Sequence, residues 1–92
     1  MSTPKFAVRS AAPPDTSQAV AELVRRDRAS VIAALIRSCG GDFALAEDAL
    51  QDALLVALER WPVDGVPSSP AGWVVTMARR KAIDRLRRDQ AL

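Results

Sequence analysis

Two groups of residues in this chain have types and spacing that can do chemistry: the carboxylates Asp48 and Asp52, and six cations within Ala78–Arg88. A spacing of four puts Asp48 and Asp52 on one face of a helix, where paired carboxylates can hold a metal. The rest of such a site is missing from the composition: there is no His, no second carboxylate helix and no calcium-loop spacing. Cys39 is the only thiol and has no base to activate it. Gly40-Gly41 is not followed by the Lys-Ser/Thr pair of a phosphate loop. No catalysis, metal or cofactor is expected. The expectation is binding.

The cations are the stronger signal. Arg79, Arg80, Lys81, Arg85, Arg87 and Arg88 fall on one helix, so they meet a phosphate backbone already spaced along an axis. Arginine adds planar, bidentate and stacking contacts that lysine lacks. Trp73 shares the side of that helix with Arg80, Asp84 and Arg87, as a nucleic-acid platform would. Two roles stay open for Trp73: stacking on a base, or anchoring the connection that precedes its helix. The second is favoured. The plain alternative for the whole stretch is a solvated last helix whose late cations suit its dipole.

Three helices must position these groups. The first is expected from about Ser17 to Cys39, capped by Asp15, Thr16 or Ser17 and stopped by Gly40-Gly41. Val20, Leu23, Val24, Val31, Leu35 and Cys39 form its apolar stripe, with Ile32 and Ile36 beside it. The second is expected from about Ala44 to Trp61, with Asp42 as N-cap and Pro62 as terminator. Its apolar residues, from Leu45 through Leu50, Leu54 and Leu58 to Trp61, cover more than half its circumference, which makes it central. Asp48, Asp52 and Glu59 lie together on the remaining face, with Glu47 and Gln51 adjacent.

Pro62–Pro70 holds three prolines and one glycine in nine residues, so it is stiff rather than helical, and it exceeds the usual helix connection of about 2–8. The third helix opens with Ser69 as N-cap and Pro70 at its first position, and runs to about Arg88. Ala71, Val75, Ala78, Ala82 and Leu86 form its expected stripe, flanked by Val74 and Ile83. The fold class is all-α, a compact bundle of three principal helices. Residues 1–15, with three prolines, read as a mobile arm, and residues 16–92 as the domain.

Composition sets the bounds. Ninety-two residues make one small domain, and 49% hydrophobic with 26% charged is an ordinary globular balance. The longest apolar runs, Val31–Ile36 and Ala53–Leu58, are far shorter than the roughly 20 residues of a spanning helix, so no membrane partner is expected. No export signal is indicated, and one cysteine allows no internal disulfide, so a reduced, cytoplasmic setting is expected. The net charge of +2 is unevenly spread: residues 42–60 carry −4 and residues 70–92 carry +4. An acidic middle and a basic end suggest two surfaces for two kinds of partner.

The ordered set Ala46-Glu47-Asp48-Ala49-Leu50-Gln51-Asp52, a Pro/Gly loop, Pro70-Ala71-Gly72-Trp73-Val74 and Ala78–Arg88 resembles region 2 of a bacterial RNA polymerase sigma factor. The extracytoplasmic-function (ECF) group is the best match, and the resemblance spans Val20 to about Arg88. It implies that Glu47, Asp48, Gln51 and Asp52 dock on the clamp helices of the polymerase β′ subunit. It also implies that Val63, Asp64, Gly65, Val66, Pro67, Ser68 and Ser69 form a loop that, with the third helix, handles the promoter −10 element. There a base of the non-template strand is flipped into a pocket. The cost, a few kcal/mol, is offset by pocket shape and backbone cations. Trp73, Arg79, Arg80, Lys81, Arg85, Arg87 and Arg88 would then face or flank the strand.

Two departures qualify the transfer. Many ECF factors have Asn where Arg80 stands, so base reading differs there or Arg80 contacts phosphate. The family's −35 reader, a C-terminal helix-turn-helix domain, is not in this sequence, and the chain is expected to be an excised domain. The loop's Asp64-Gly65-Val66-Pro67 resembles one ECF subgroup. The family also brings an anti-sigma factor as a further partner. The competing reading is a helical protein–protein adaptor whose cations never meet DNA. A duplex-reading helix-turn-helix is disfavoured because its turn is only about 3–4 residues.

Overall fold

The computed structural model describes residues 14–91, and three helices account for nearly all of them: α1 (Pro14–Ser38), α2 (Phe43–Asp64) and α3 (Pro70–Ala91). Each helix packs on the other two, with α2 and α3 sharing the most extensive contact. The all-α expectation holds. Residues 1–13 of the expected arm lie outside the described residues. Asp15, expected in that arm, sits in the first turn of α1.

Local chemistry explains where the helices begin and stop. α1 ends in a Gly40-Gly41 turn: Gly40 has φ 64°, a left-handed conformation that a side chain disfavours. The Gly41 N–H donates back to the Ile36 carbonyl at 2.9 Å, satisfying a carbonyl that the helix leaves open. Asp42, extended at φ −81° and ψ 101°, caps α2 by accepting from the Leu45 N–H at 3.0 Å. Ser69 caps α3, its backbone carbonyl accepting from Trp73 at 3.0 Å with Pro70 following at the first helical position.

Pro62 does not end α2. The helix continues one more turn to Asp64, and Gly65 closes it with φ 94° and an N–H bond to the Trp61 carbonyl at 2.8 Å. Proline removes a single N–H, and near a helix end that loss is small beside the anchoring of Trp61, which is 2% exposed. Val63 and Asp64 are therefore helical, and the connection is the five residues Gly65–Ser69. That length is ordinary for joined helices.

The core takes Leu23, Val31, Ile32, Leu35 and Cys39 from α1 and its end, Leu50 and Trp61 from α2, and Val74 from α3. Between them lie six buried alanines: Ala46, Ala49, Ala53 and Ala57 on α2, Ala78 and Ala82 on α3. Small side chains let helices approach closely. Several expected core residues are exposed instead: Val24, Leu58, Ile83 and Leu86. On α3 the buried stripe is rotated toward Val74, because the following positions on that line include Arg85, whose head group finds partners on α2.

Candidate functional site

The sequence places Glu47, Asp48, Gln51 and Asp52 on one acidic face, but the fold divides them. Glu47 turns toward α1, where both its oxygens accept from Nη2 of Arg28, at 2.8 and 2.7 Å. Asp52 turns toward α3, where its Oδ2 accepts from Nε of Arg85 at 3.0 Å and forms an ion pair with Nη2 at 2.9 Å. Asp48 remains outward, its side chain 58% exposed, with its nearest cation the Nη1 of Arg85 at 3.8 Å. Gln51 is exposed as well. Leu55 (61% exposed) and Leu58 (41% exposed) follow on the same outer stripe, with Glu59 beside them.

Leu55 and Leu58 were absent from the sequence-based site. A signal for them existed: Ala53–Leu58 is unbroken apolar sequence, and a helix cannot bury all sides of such a run in a three-helix bundle. Exposed leucines next to an amide and a carboxylate resemble the composition of protein-binding surfaces, apolar in the middle and polar at the edge.

The six cations of α3 divide too. Arg79 reaches the end of α1, where its Nε donates to Ser38 Oγ at 3.0 Å. That position also sets its charge beside the negative end of the helix dipole. Arg85 is half-buried against α2, as described, rather than outward. Arg85 is thus not a simple outward cation, while Arg79 is exposed with its Nε engaged by Ser38. Arg80, Arg87 and Arg88 are exposed and Lys81 is half-buried, and none of the four is ion-paired among the described residues. Thr76 and Ile83 are exposed on the face that carries Arg80 and Arg87.

Trp73 is half-buried, and its ring meets that of Trp61 edge to face, with centroids 5.2 Å apart and planes at 70°. This contact ties the first turn of α3 to the last turns of α2 across the connection. Aromatic pairs in this arrangement contribute about 0.5–1.5 kcal/mol beyond their buried area. Trp61 Nε1 has no hydrogen-bond partner among the described residues. Of the two roles open for Trp73, the geometry supplies the anchoring one, and only its exposed part is left for a base.

In the connection, Val66 and Pro67 are half-buried while Gly65, Ser68 and Ser69 are exposed. Ser68, Ser69 and Pro70 face α1 across an open cleft of about 360 Å³ lined also by Glu22, Arg26 and Asp27. Cys39, buried at the end of α1, has its thiol pushed above the ordinary value of 9.0, first by burial and then by the Asp42 carboxylate. A thiol held protonated is a poor nucleophile. No helix among the described residues is long and apolar enough to cross a membrane.

Comparison with known proteins adds an independent finding. The model of the family described as sigma-70 region 2 matches residues 23–91. A curated protein of Rhizobium meliloti (strain 1021), described only as uncharacterized, is 46% identical over 44 residues, which is 48% of this chain and 10% of that protein. The chain thus matches about a tenth of the length of that relative. No solved structure matches.

Proposed function

The chain belongs to the sigma-70 region 2 family, whose domains bind RNA polymerase and recognise the promoter −10 element, and from that premise we propose that it serves an ECF-type sigma factor. In this reading α2 docks on the clamp helices of the polymerase β′ subunit through the acidic face that Glu47 and Asp52 bound and that presents Asp48 and Gln51 outward. The exposed Leu55 and Leu58 extend that face. α3 and the segment Val63–Ser69 hold the melted non-template strand. Arg80, Lys81, Arg87 and Arg88 meet its phosphates, and the connection shapes a pocket for a flipped base. The setting is the cytoplasm, and an anti-sigma factor is a further partner.

The observation that carries this reading is the separation of two outward surfaces on adjacent helices. One is acidic and apolar, centred on Asp48 and Leu55; the other is cationic, centred on Arg80 and Arg87. Late cations on a solvated helix suit its dipole, but Arg80 and Lys81 lie near the middle of α3. With Arg87 and Arg88 they hold no ion pair among the described residues, which supports a partner rich in negative charge.

Titration with single-stranded −10-like DNA over a range of salt concentrations tests the cationic surface. Each phosphate contact on a single strand contributes a slope of about −0.7 in log K against log salt. Replacing Arg80 and Arg87 together by Ala is expected to make the slope shallower by roughly 1.4 and to weaken binding across sequences. An unchanged titration leaves the adaptor reading.

A further inference from the structure

A helix advances about 100° per residue, so positions on α2 can be ordered around its axis. Taking Glu47 as zero, Leu58 and Gln51 follow at about 20° and 40°, Leu55 and Asp48 at about 80° and 100°, and Asp52 at about 140°. The two acids that hold the short ion pairs therefore bound the stripe, and the outward residues lie between them, Asp48 with only a longer contact to Arg85 at 3.8 Å. Arg28 holds one edge from α1 and Arg85 holds the other from α3.

Resting on the docking reading above, we propose that Glu47 and Asp52 are positioning residues. They fix the rotation of α2 about its own axis so that Asp48, Gln51, Leu55 and Leu58 are presented to the polymerase, and they do not themselves meet it.

The geometry argues this in three ways. Asp52 Oδ2 accepts from Arg85 Nε and lies 2.9 Å from its Nη2, and both Glu47 oxygens accept from one guanidinium, so a partner's cation would compete with an arginine already in place at either acid. Both pairs are shielded on the acid side, with Glu47 and Asp52 side chains 26% and 29% exposed against 58% for Asp48. The clamping arginines also come from different helices on opposite flanks, which is what resisting rotation in both directions requires. Over the turns that carry the stripe, the inner side of α2 is mostly the alanines Ala46, Ala49, Ala53 and Ala57, whose methyl groups interlock weakly; the large side chain Trp61 sits at the far end of the helix. By this assignment Arg85 belongs to the docking apparatus and not to the strand-holding one.

A charge swap in the full chain separates positioning from contact, with capture of core RNA polymerase as the readout. Asp52→Arg alone places two guanidinium groups against each other, and capture is expected to fall about tenfold or more. Adding Arg85→Asp restores the ion pair in reverse, and capture is expected to return to within about threefold of the starting protein. If Asp52 touches the polymerase, the swapped chain stays as weak as Asp52→Arg, and the proposal is overturned. Should the swap lose helicity by circular dichroism, Arg85→Gln alone decides: it leaves Asp52 in place but removes its ion pair, so capture reduced severalfold supports positioning and unchanged capture refutes it. Asp48→Lys keeps the underlying reading distinct. Its failure to reduce capture would remove α2 as the docking helix, whatever the swap does.

Discussion

The outer faces of α2 and α3 treat charge in opposite ways. On α2 the flanking acids Glu47 and Asp52 are committed to arginines of neighbouring helices, and a narrow stripe is left outward. On α3, Arg80, Lys81, Arg87 and Arg88 hold no ion pair among the described residues. The difference fits two kinds of partner. A folded protein surface presents fixed groups, so side chains that are held in place lose less entropy on meeting it. A nucleic-acid strand presents a repeating charge that mobile cations can follow at little cost in geometry, because much of the driving force is released counterions.

The sharpest way to break this contrast is to put charge into the α2 stripe. Leu55→Asp with Leu58→Asp is expected to lower capture of core polymerase by more than about tenfold, since apolar anchors near the middle of an interface carry most of its energy. Both residues are exposed, so the melting midpoint should hardly move. Undiminished capture would mean that the stripe faces only water.

Trp73 tests where the cationic surface stops and the core begins. Trp73→Ala is expected to lower the melting midpoint by roughly 10 °C, from a loss of about 2 kcal/mol for a half-buried ring in a domain this small. A midpoint that stays put, with DNA binding weakened, would transfer the ring from the core to the strand-holding surface.

The smallest effect belongs to the acidic start of α2. The Cys39 thiol is raised in the folded chain by burial and by Asp42, so above the ordinary thiol range the unfolded chain gives up its proton first. Stability from this group is complete below pH 9.0 and declines as pH rises through the higher folded value. With no Tyr or His in the sequence, few other groups obscure that limb. Cys39→Ala is expected to flatten it in urea titrations between neutral and alkaline pH. An equal decline in both proteins would assign the loss to lysine or to overall charge.

What could be read in advance was chemistry that a few neighbouring residues settle alone. Asp42 as a cap, the Gly40-Gly41 stop and the Ser69-Pro70 start depend on backbone groups within one turn, and the structure keeps all three. Pro62 was misleading because its effect on α2 depends on how firmly Trp61 is seated, a tertiary matter. Leu58, Ile83 and Leu86 were assigned inward by periodicity, yet a bundle of three helices has too few neighbours to cover every apolar flank. The cationic run was plain in the sequence. That Arg79 and Arg85 are committed to Ser38 and Asp52 was not, because those partners lie 41 and 33 positions away.

The buried alanines have a consequence for how this domain can change. Where the filling between two rods is a single methyl group, their separation is a fine adjustment, and one added carbon at Ala53 or Ala78 acts like a shim in a hinge. The outward residues could stay untouched while the span from the acidic stripe to the arginines lengthened. On the proposed reading, a lineage could thus retune how a polymerase arm and an opened strand are held relative to each other without altering a residue of either outward surface.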